Sequence, residues 1–156
     1  MKNQTACFTG HREIPFFQKR RLKAKVKSAI TDAIRNGYRY FGAGGALGFD
    51  MLAAQTVLEL KADYPDIKLI LVLPCLNQTR GWAQEDVKEY ERIKAAADKV
   101  TYISKEYYNG CMHKRNRHLV DNSSLCICYL TKQSGGTAYT VSYAESHDLK
   151  IVNVAQ

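Results

Sequence analysis

The chain has 156 residues, a formal net charge of +8 and a sequence pI near 9.3. This length suits one domain whose core needs neither disulfides nor a metal ion for stability, and the basic balance favours anionic partners such as nucleotides or nucleic acid. No run reaches the roughly 18 apolar residues of a membrane span and the first residues lack the apolar core of a signal peptide, so we expect a cytoplasmic protein with no membrane partner.

Six apolar runs rich in β-branched and aromatic residues predict strands. In chain order they cover residues 5–9, 39–42, 67–73, 100–104, 125–130 and 151–154. Most of these runs are continuously apolar rather than alternating, which is typical of parallel strands covered on both faces.

The segments between these runs have helical spacing of apolar residues. Leu22, Val26 and Ile30 form one stripe, and Gly37 is a candidate left-handed stop after it. Further helices are predicted around residues 47–58, 87–97, 112–120 and 141–144. The alternation predicts one α/β domain over residues 1–156, with a Rossmann-like, doubly wound, mainly parallel sheet flanked by helices. In such folds the ligand crevice lies at the carboxyl ends of the strands.

Three glycine-bearing turns follow predicted strands and precede predicted helices: FTGHRE, FGAGGALGFD and SGGTAYTVSYAE. Glycine lets the backbone approach a ligand closely, and a helix N-terminus offers unpaired N–H groups to an anion. The candidate ligand-binding residues of the three turns are Thr9, Gly10, His11, Arg12, Gly44, Gly45, Gly48, Asp50, Ser134, Gly135, Gly136 and Thr137. Together they predict a phosphate-binding rim.

Each turn also has a structural explanation. His11 fits a ligand contact and a structural hydrogen bond equally. The second turn can be a tight turn without a ligand, and its spacing is neither GxGxxG after the first strand nor GxxxxGK[ST]. Asp50 is a candidate for capping backbone donors or for holding a ribose hydroxyl. Ser134 or Thr137 can serve as a helix cap.

Further candidates lie outside the glycine turns. Arg115 and Asn116 belong to the dense polar run HKRNRHLVDN, which we assign to the site rather than to a plain charged surface. Pro74 ends the third predicted strand, and Trp82 after it is a candidate for stacking on a base or, almost equally, for a partly buried core position.

Two further sets of residues have less specific interpretations. The lysine face of the first helix is a candidate for binding nucleic-acid phosphates, but a solvated surface is the favoured interpretation because aromatic residues are not interleaved with its cations. The five cysteines are interpreted as free buried thiols, and no metal site is expected because Cys126 and Cys128 lack a second ligand pair at zinc spacing.

Taken in order, FTGHR, GGALGFDMLAAQ, MHKRNRHLVDNS and SGGTAYTVSYA resemble the SLOG superfamily, most closely its YpsA-like branch of small bacterial proteins. The superfamily includes the DNA-processing protein DprA (Smf) and the lonely-guy phosphoribohydrolases. The resemblance implies a Rossmann-like fold and a nucleotide or nucleotide-derived ligand, and a homodimer is expected by analogy.

Three functions follow from the residues and this resemblance. The leading hypothesis is a regulatory or sensing module that binds a nucleotide or an NAD- or ADP-ribose-like derivative, with no certain cofactor. The second is N-glycosidic hydrolysis, but Ser134 replaces the proline of the PGGxGTxxE pattern and no carboxylate stands two or three positions after Thr137. We name no catalytic residue. The third is DprA-like binding of single-stranded DNA, although DprA's additional domains would not fit this length.

Overall fold

Six strands build the sheet: β1 (Thr5–Gly10), β2 (Tyr40–Ala43), β3 (Lys68–Leu73), β4 (Lys99–Tyr102), β5 (Leu125–Tyr129) and β6 (Lys150–Asn153). In this computed structural model, which describes residues 1–156, every neighbouring pair is parallel and the order is β4-β3-β2-β1-β5-β6. Each strand ends within two residues of its predicted run, so the predicted Rossmann-like sheet is confirmed.

Five helices connect the strands: α1 (Lys19–Arg35), α2 (Phe49–Leu60), α3 (Gln84–Ala96), α4 (Cys111–Asp121) and α5 (Gly136–Ser146). None of them combines the length and apolarity that crossing a membrane requires. The predicted stop after α1 is present, because Gly37 has φ +96 and the N–H of Tyr38 donates to the Ala33 carbonyl at 3.0 Å.

The helices cover the two faces of the sheet unequally. A larger buried cluster joins the sheet to α1, α2 and α3, with Phe8 of β1 in its centre, while a smaller cluster under α4 and α5 contains Cys7. Successive strand residues alternate between the two clusters because side chains on a strand point to opposite faces. All five cysteines are free and buried.

The order of the strands places a crevice beside β1. From β1 to β4 the chain moves outward along one half of the sheet, and α4 then returns it across the sheet to β5, on the other side of β1. The strand order therefore reverses between β1 and β5. Ligands of open α/β sheets bind at such a switch point, outside the carboxyl ends of the strands.

Candidate functional site

A hollow of about 550 Å³ lies at this switch point. It is lined by the end of β1 and its loop, the start of α2, one side of α4 and the loop that leads into α5. The predicted site residues that line it are Thr9, Gly10, His11, Arg12, Asp50, Arg115, Asn116, Ser134, Gly135, Gly136 and Thr137. The first and third glycine turns thus meet in one place, although more than 120 residues of sequence separate them.

Two glycines let the loop after β1 lie directly against the N-terminus of α2. A Cβ atom at Gly48, where φ is +82, would stand 2.6 Å from the Cα of Arg12 and closer still to its carbonyl group. A Cβ at Gly10 would stand 2.6 Å from the Cβ of Phe49. The Phe49 N–H donates to the His11 carbonyl at 3.1 Å and holds this contact. Any side chain at Gly48 would push Arg12 away from its present position.

Arg115 forms the buried wall of the hollow, with only 4% of its surface exposed. Its Nη1 donates to the Gly44 carbonyl, and its Nε donates to Asn116 Oδ1 at 2.7 Å. A Cβ at Gly44 would lie 2.6 Å from the Arg115 Cζ, so the second glycine turn makes room for this guanidinium. The remaining nitrogen, Nη2, contacts only the Met112 sulfur at 3.8 Å. It is the donor that Arg115 retains for a ligand.

Asp50 brings a buried carboxylate into the same site, with 6% of its surface exposed. Its Oδ2 accepts a hydrogen bond from the Ala46 N–H at 3.3 Å, which ties the second turn together. Burial raises the pKa of the Asp50 carboxyl above its ordinary value, while the charge of Arg115 and this hydrogen bond oppose the rise. No ion pair of 4.0 Å or less joins Asp50 to an arginine.

The N-terminus of α5 opens into the hollow without a cap. Gly135 precedes the helix with φ +102, and no side chain accepts a hydrogen bond from the first-turn N–H groups. The cap expected from Ser134 or Thr137 therefore does not form. A Cβ at Gly135 or Gly136 would meet nothing within 4 Å. The free N–H groups of this turn and the positive end of the helix dipole are available to an anion.

His11 joins the β1 loop to the loop after β5. Its Nε2 accepts a hydrogen bond from the Thr131 N–H at 2.9 Å, so this nitrogen carries no proton and the ring is neutral. Burial, with a smaller effect from the nearby charge of Lys132, lowers the pKa of His11 below its usual 6.5. His11 therefore makes a structural hydrogen bond and also lines the hollow.

We expect the stability of the protein to fall as the pH drops below about 6.5, the ordinary histidine value. The unfolded chain then binds a proton at His11 that the folded chain resists, because protonation of Nε2 breaks the bond to Thr131. Melting temperatures between pH 7.5 and 5 would measure this. In His11→Gln, where an amide oxygen can accept the same bond without titrating, the pH profile should be flatter, and an identical profile would contradict the assignment.

The charges around the hollow favour an anion. Arg12, Arg115 and Lys132 contribute three cationic groups, and Asp50 is the single carboxylate among the lining residues. No group of three or more His, Cys, Asp and Glu residues is arranged to hold a metal ion. The site can therefore bind an anion through guanidinium, ammonium and main-chain N–H donors.

Some predicted residues lie elsewhere. Trp82 packs edge-on against Tyr90, with ring centroids 5.4 Å apart, beside the larger core cluster. Neither Trp82 nor the buried Pro74 lines the hollow, so their role in binding stays a prediction that this placement does not favour. Gly45 faces Leu73, Tyr90 and Gln78 rather than the hollow.

Sequence reasoning missed four lining residues, of which Lys132 and His113 are polar and Ala46 and Met112 are apolar. Lys132 lies three residues after the carboxyl end of β5 and precedes the third glycine turn. The rule that ligands bind at the carboxyl ends of strands could have identified it. His113 belongs to the polar run of α4, but its position within that run carries no distinguishing signal.

Comparisons with known proteins give a family and a fold. The family model YpsA, described as the YspA SLOG family, matches residues 6–154. A UPF0398 protein of Halalkalibacterium halodurans is 30% identical over 152 residues, which cover 92% of this chain and 78% of that protein. A UPF0398 protein of Bacillus thuringiensis (strain Al Hakam) is 29% identical over 127 residues, covering 80% of this chain and 69% of the relative.

Two solved structures share the fold. DNA processing protein A from Helicobacter pylori, studied for its single-stranded DNA binding mode, superposes with a TM-score of 0.68 at 18% identity. DprA from Streptococcus pneumoniae gives 0.69 at 15% identity. Each match covers 96% of this chain but only 64% and 50% of the respective DprA chains. The likeness therefore establishes the fold and leaves a large part of each DprA chain without a counterpart.

Proposed function

This chain belongs to the YspA SLOG family, and from that premise we propose that it binds a nucleotide or a nucleotide derivative, such as an NAD- or ADP-ribose-like molecule, in the switch-point hollow. The phosphate groups would lie between the N-terminus of α5 and the arginines, and the output would be regulation or sensing. In the sequence-based hypothesis Asp50 holds a ribose hydroxyl, and its place in the same hollow is compatible with that.

One observation carries the proposal: the buried guanidinium of Arg115 and the uncapped first turn of α5 line the same hollow. Burying a guanidinium has a high desolvation cost, and its bonds to Gly44 and Asn116 help to offset that cost. A bound phosphate would use Nη2 of Arg115 and the free N–H groups at once. Charge-assisted hydrogen bonds of this kind are the stronger ones in proteins.

The geometry supports binding better than hydrolysis. General acid and base catalysis on a glycosidic bond uses two carboxyl groups placed on either side of the bond. Asp50 is the only carboxylate that lines the hollow, and the nearest carboxylate of α5, Glu145, is exposed and does not line it. The N-glycosidase hypothesis therefore has one of the two groups it needs.

The substitution Gly136→Asp tests the proposal. The aspartate carboxylate would accept hydrogen bonds from the free N–H groups of α5 and would place a negative charge where the phosphate is expected. We expect the affinity for pyrophosphate, AMP, ADP and NAD to fall about tenfold or more, which corresponds to about 1.4 kcal/mol. Isothermal titration calorimetry with this panel measures the change.

Gly136→Ala is the matched control, because a Cβ at this position meets no atom within 4 Å. It should bind like the unchanged protein. Gly136→Asp should itself remain folded and be slightly more stable, since a carboxylate in the first turn of a helix contributes about 0.3–1 kcal/mol. Failure of every phosphate ligand to bind at millimolar concentration, or equal affinities in both variants, would overturn the proposal.

Single-stranded DNA is a second candidate ligand. The observation in its favour is the shared fold with the H. pylori protein, whose single-stranded DNA binding is described, together with the +8 charge of this chain. A short oligothymidylate in the same titrations distinguishes the two candidates. Its affinity should fall steeply with salt, whereas a mononucleotide with few phosphate contacts should show a shallow dependence.

A further inference from the structure

Two phenylalanine side chains are exposed to solvent just before α1. Phe16 and Phe17, in the short turn that precedes the helix, are 88% and 81% exposed. Neither belongs to a core cluster. Adjacent aromatic side chains with this exposure leave a large apolar surface uncovered in the isolated protein, which is a common property of interaction sites.

The helix that follows carries an unfavourable concentration of positive charge. Its first nine residues include six cations, namely Lys19, Arg20, Arg21, Lys23, Lys25 and Lys27, and its first turn contains no acidic residue. Cations at a helix N-terminus oppose the helix dipole and repel one another. Of the six, only Lys23 forms an ion pair, with Glu59 at 2.8 Å. A polyanion bound here would relieve this repulsion.

A surface recess connects this region to the hollow. The recess has a volume of about 880 Å³, and its lining includes Gln18 and Lys19 from the start of α1. It shares three lining residues, His11, Arg12 and Lys132, with the hollow. Its carboxylates are Glu13 and Asp86, against the cations Arg12, Lys19 and Lys132. A chain of phosphates could thus pass from the hollow to the basic start of α1 without leaving a depression in the surface.

We propose that Phe16, Phe17 and the cations of residues 19–27 form a binding surface for single-stranded nucleic acid that continues from the hollow. Bases would stack on the two phenylalanine rings, and phosphates would lie along the cations. This combination of stacking surfaces with a basic groove is how proteins bind single strands without sequence preference. The inference rests on the proposed function in one respect, namely that the hollow accepts a phosphate.

The chemistry of the surface selects this partner. Double-stranded DNA keeps its bases stacked inside the duplex, so it would leave the two rings uncovered. An anionic membrane would cover the rings and pair with the cations, but a bilayer surface would not enter the recess that runs from Lys19 to Arg12 and Lys132. The solvated-surface interpretation of this helix depended on a lack of aromatic residues among the cations, and the structure places two exposed rings directly before them.

The test compares Phe16→Ser/Phe17→Ser with the unchanged protein, by fluorescence anisotropy of a labelled 12-nucleotide oligothymidylate. Stacking on one aromatic side chain changes affinity by about fivefold or more, so the double variant should bind at least about fivefold more weakly. Tyr107→Ser/Tyr108→Ser, which removes two exposed aromatic residues from another loop, is the control and should bind normally. Pyrophosphate affinity should stay unchanged in both variants.

A second pair of variants, which match each other in net charge, tests the cations. Arg20→Gln/Lys27→Gln should reduce the slope of log affinity against log salt by about 1.4, since each single-strand phosphate contact contributes about 0.7. Lys68→Gln/Lys150→Gln removes the same charge at the amino ends of β3 and β6 and should change the slope little.

The possible failures are distinguishable. If pyrophosphate and nucleotides do not bind at all, the proposed function is wrong. If they bind, but the phenylalanine variant holds the oligonucleotide as well as its control does, only the present inference is wrong. Absence of oligonucleotide binding at 50 mM salt, or binding only to vesicles containing phosphatidylserine, would also overturn it.

Discussion

Replacing Arg115 with methionine is expected to lower the free energy of unfolding by about 1–3 kcal/mol, the typical cost of leaving a buried hydrogen-bonding group without its partner. Methionine keeps much of the apolar packing, but the Gly44 carbonyl loses the hydrogen bond from Nη1 and Asp50 loses the cation that opposes the rise of its pKa. Phosphate ligands should lose affinity as well. Urea unfolding and calorimetry measure the two effects separately.

The double variant Arg115→Met/Asp50→Asn tests whether the loss of stability comes from Asp50 being left without Arg115. It removes both charges, so it should recover part of the lost stability without recovering phosphate affinity. The single variant should also regain stability relative to the unchanged protein as the pH is lowered, because a carboxyl whose pKa is raised by folding destabilises the protein increasingly as the pH rises from its unfolded pKa to its folded pKa. A double variant that is as unstable as Arg115→Met would show that Asp50 does not depend on Arg115.

Gly48→Ala should be at least as damaging, with a loss of roughly 2–5 kcal/mol from left-handed backbone strain and overpacking combined. The new Cβ would collide with the backbone of Arg12 rather than with a flexible side-chain end, so the loop after β1 would have to move. We therefore expect both a lower melting temperature and a weaker affinity for pyrophosphate. Thermal unfolding and titration of the same preparation would report both.

Gly37→Ala separates the effect of backbone strain from the effect of overpacking. Gly37 also has a positive φ, of +96, but a Cβ there would meet nothing within 4 Å. Gly37→Ala should lower the free energy of unfolding by the cost of backbone strain alone, about 1–2 kcal/mol, and should keep normal affinity for pyrophosphate. Equal losses at the two glycines would mean that the contact between Gly48 and Arg12 has no energetic effect.

The fold was largely predictable because its signals are local. Largely apolar runs such as that over residues 67–73 predict buried parallel strands, and the stripe of Leu22, Val26 and Ile30 with Gly37 after it predicts the first helix and its end. The resemblance to the SLOG superfamily is likewise confirmed by the family match. The strand ends shifted by a residue or two, while α3 and α5 begin three and five residues before their predicted stripes, because end residues depend on their neighbours in the fold as well as on their own sequence.

The site was predictable only in part, because its members meet through tertiary contacts. The glycine turns indicated a shared rim, yet nothing local showed that Gly44 is needed to make room for Arg115, or that Arg115 is buried at all. Trp82 was a candidate for stacking on a base or, almost equally, for a partly buried core position, and its packing against Tyr90 fits the second alternative. The exposure of Phe16 and Phe17 was equally hidden, since an apolar pair reads as core until the fold shows otherwise.

The central position of β1 has a consequence for synthesis of the protein on the ribosome. β1 is made first, but one of its two neighbours, β5, follows more than 110 residues later. Until then a nascent sheet of β1 to β4 would present β1 as an open edge, with Cys7 uncovered because α5 has yet to arrive. Such an edge is a template for pairing with other chains, so aggregation and chaperone capture should be concentrated on nascent chains that end before residue 125.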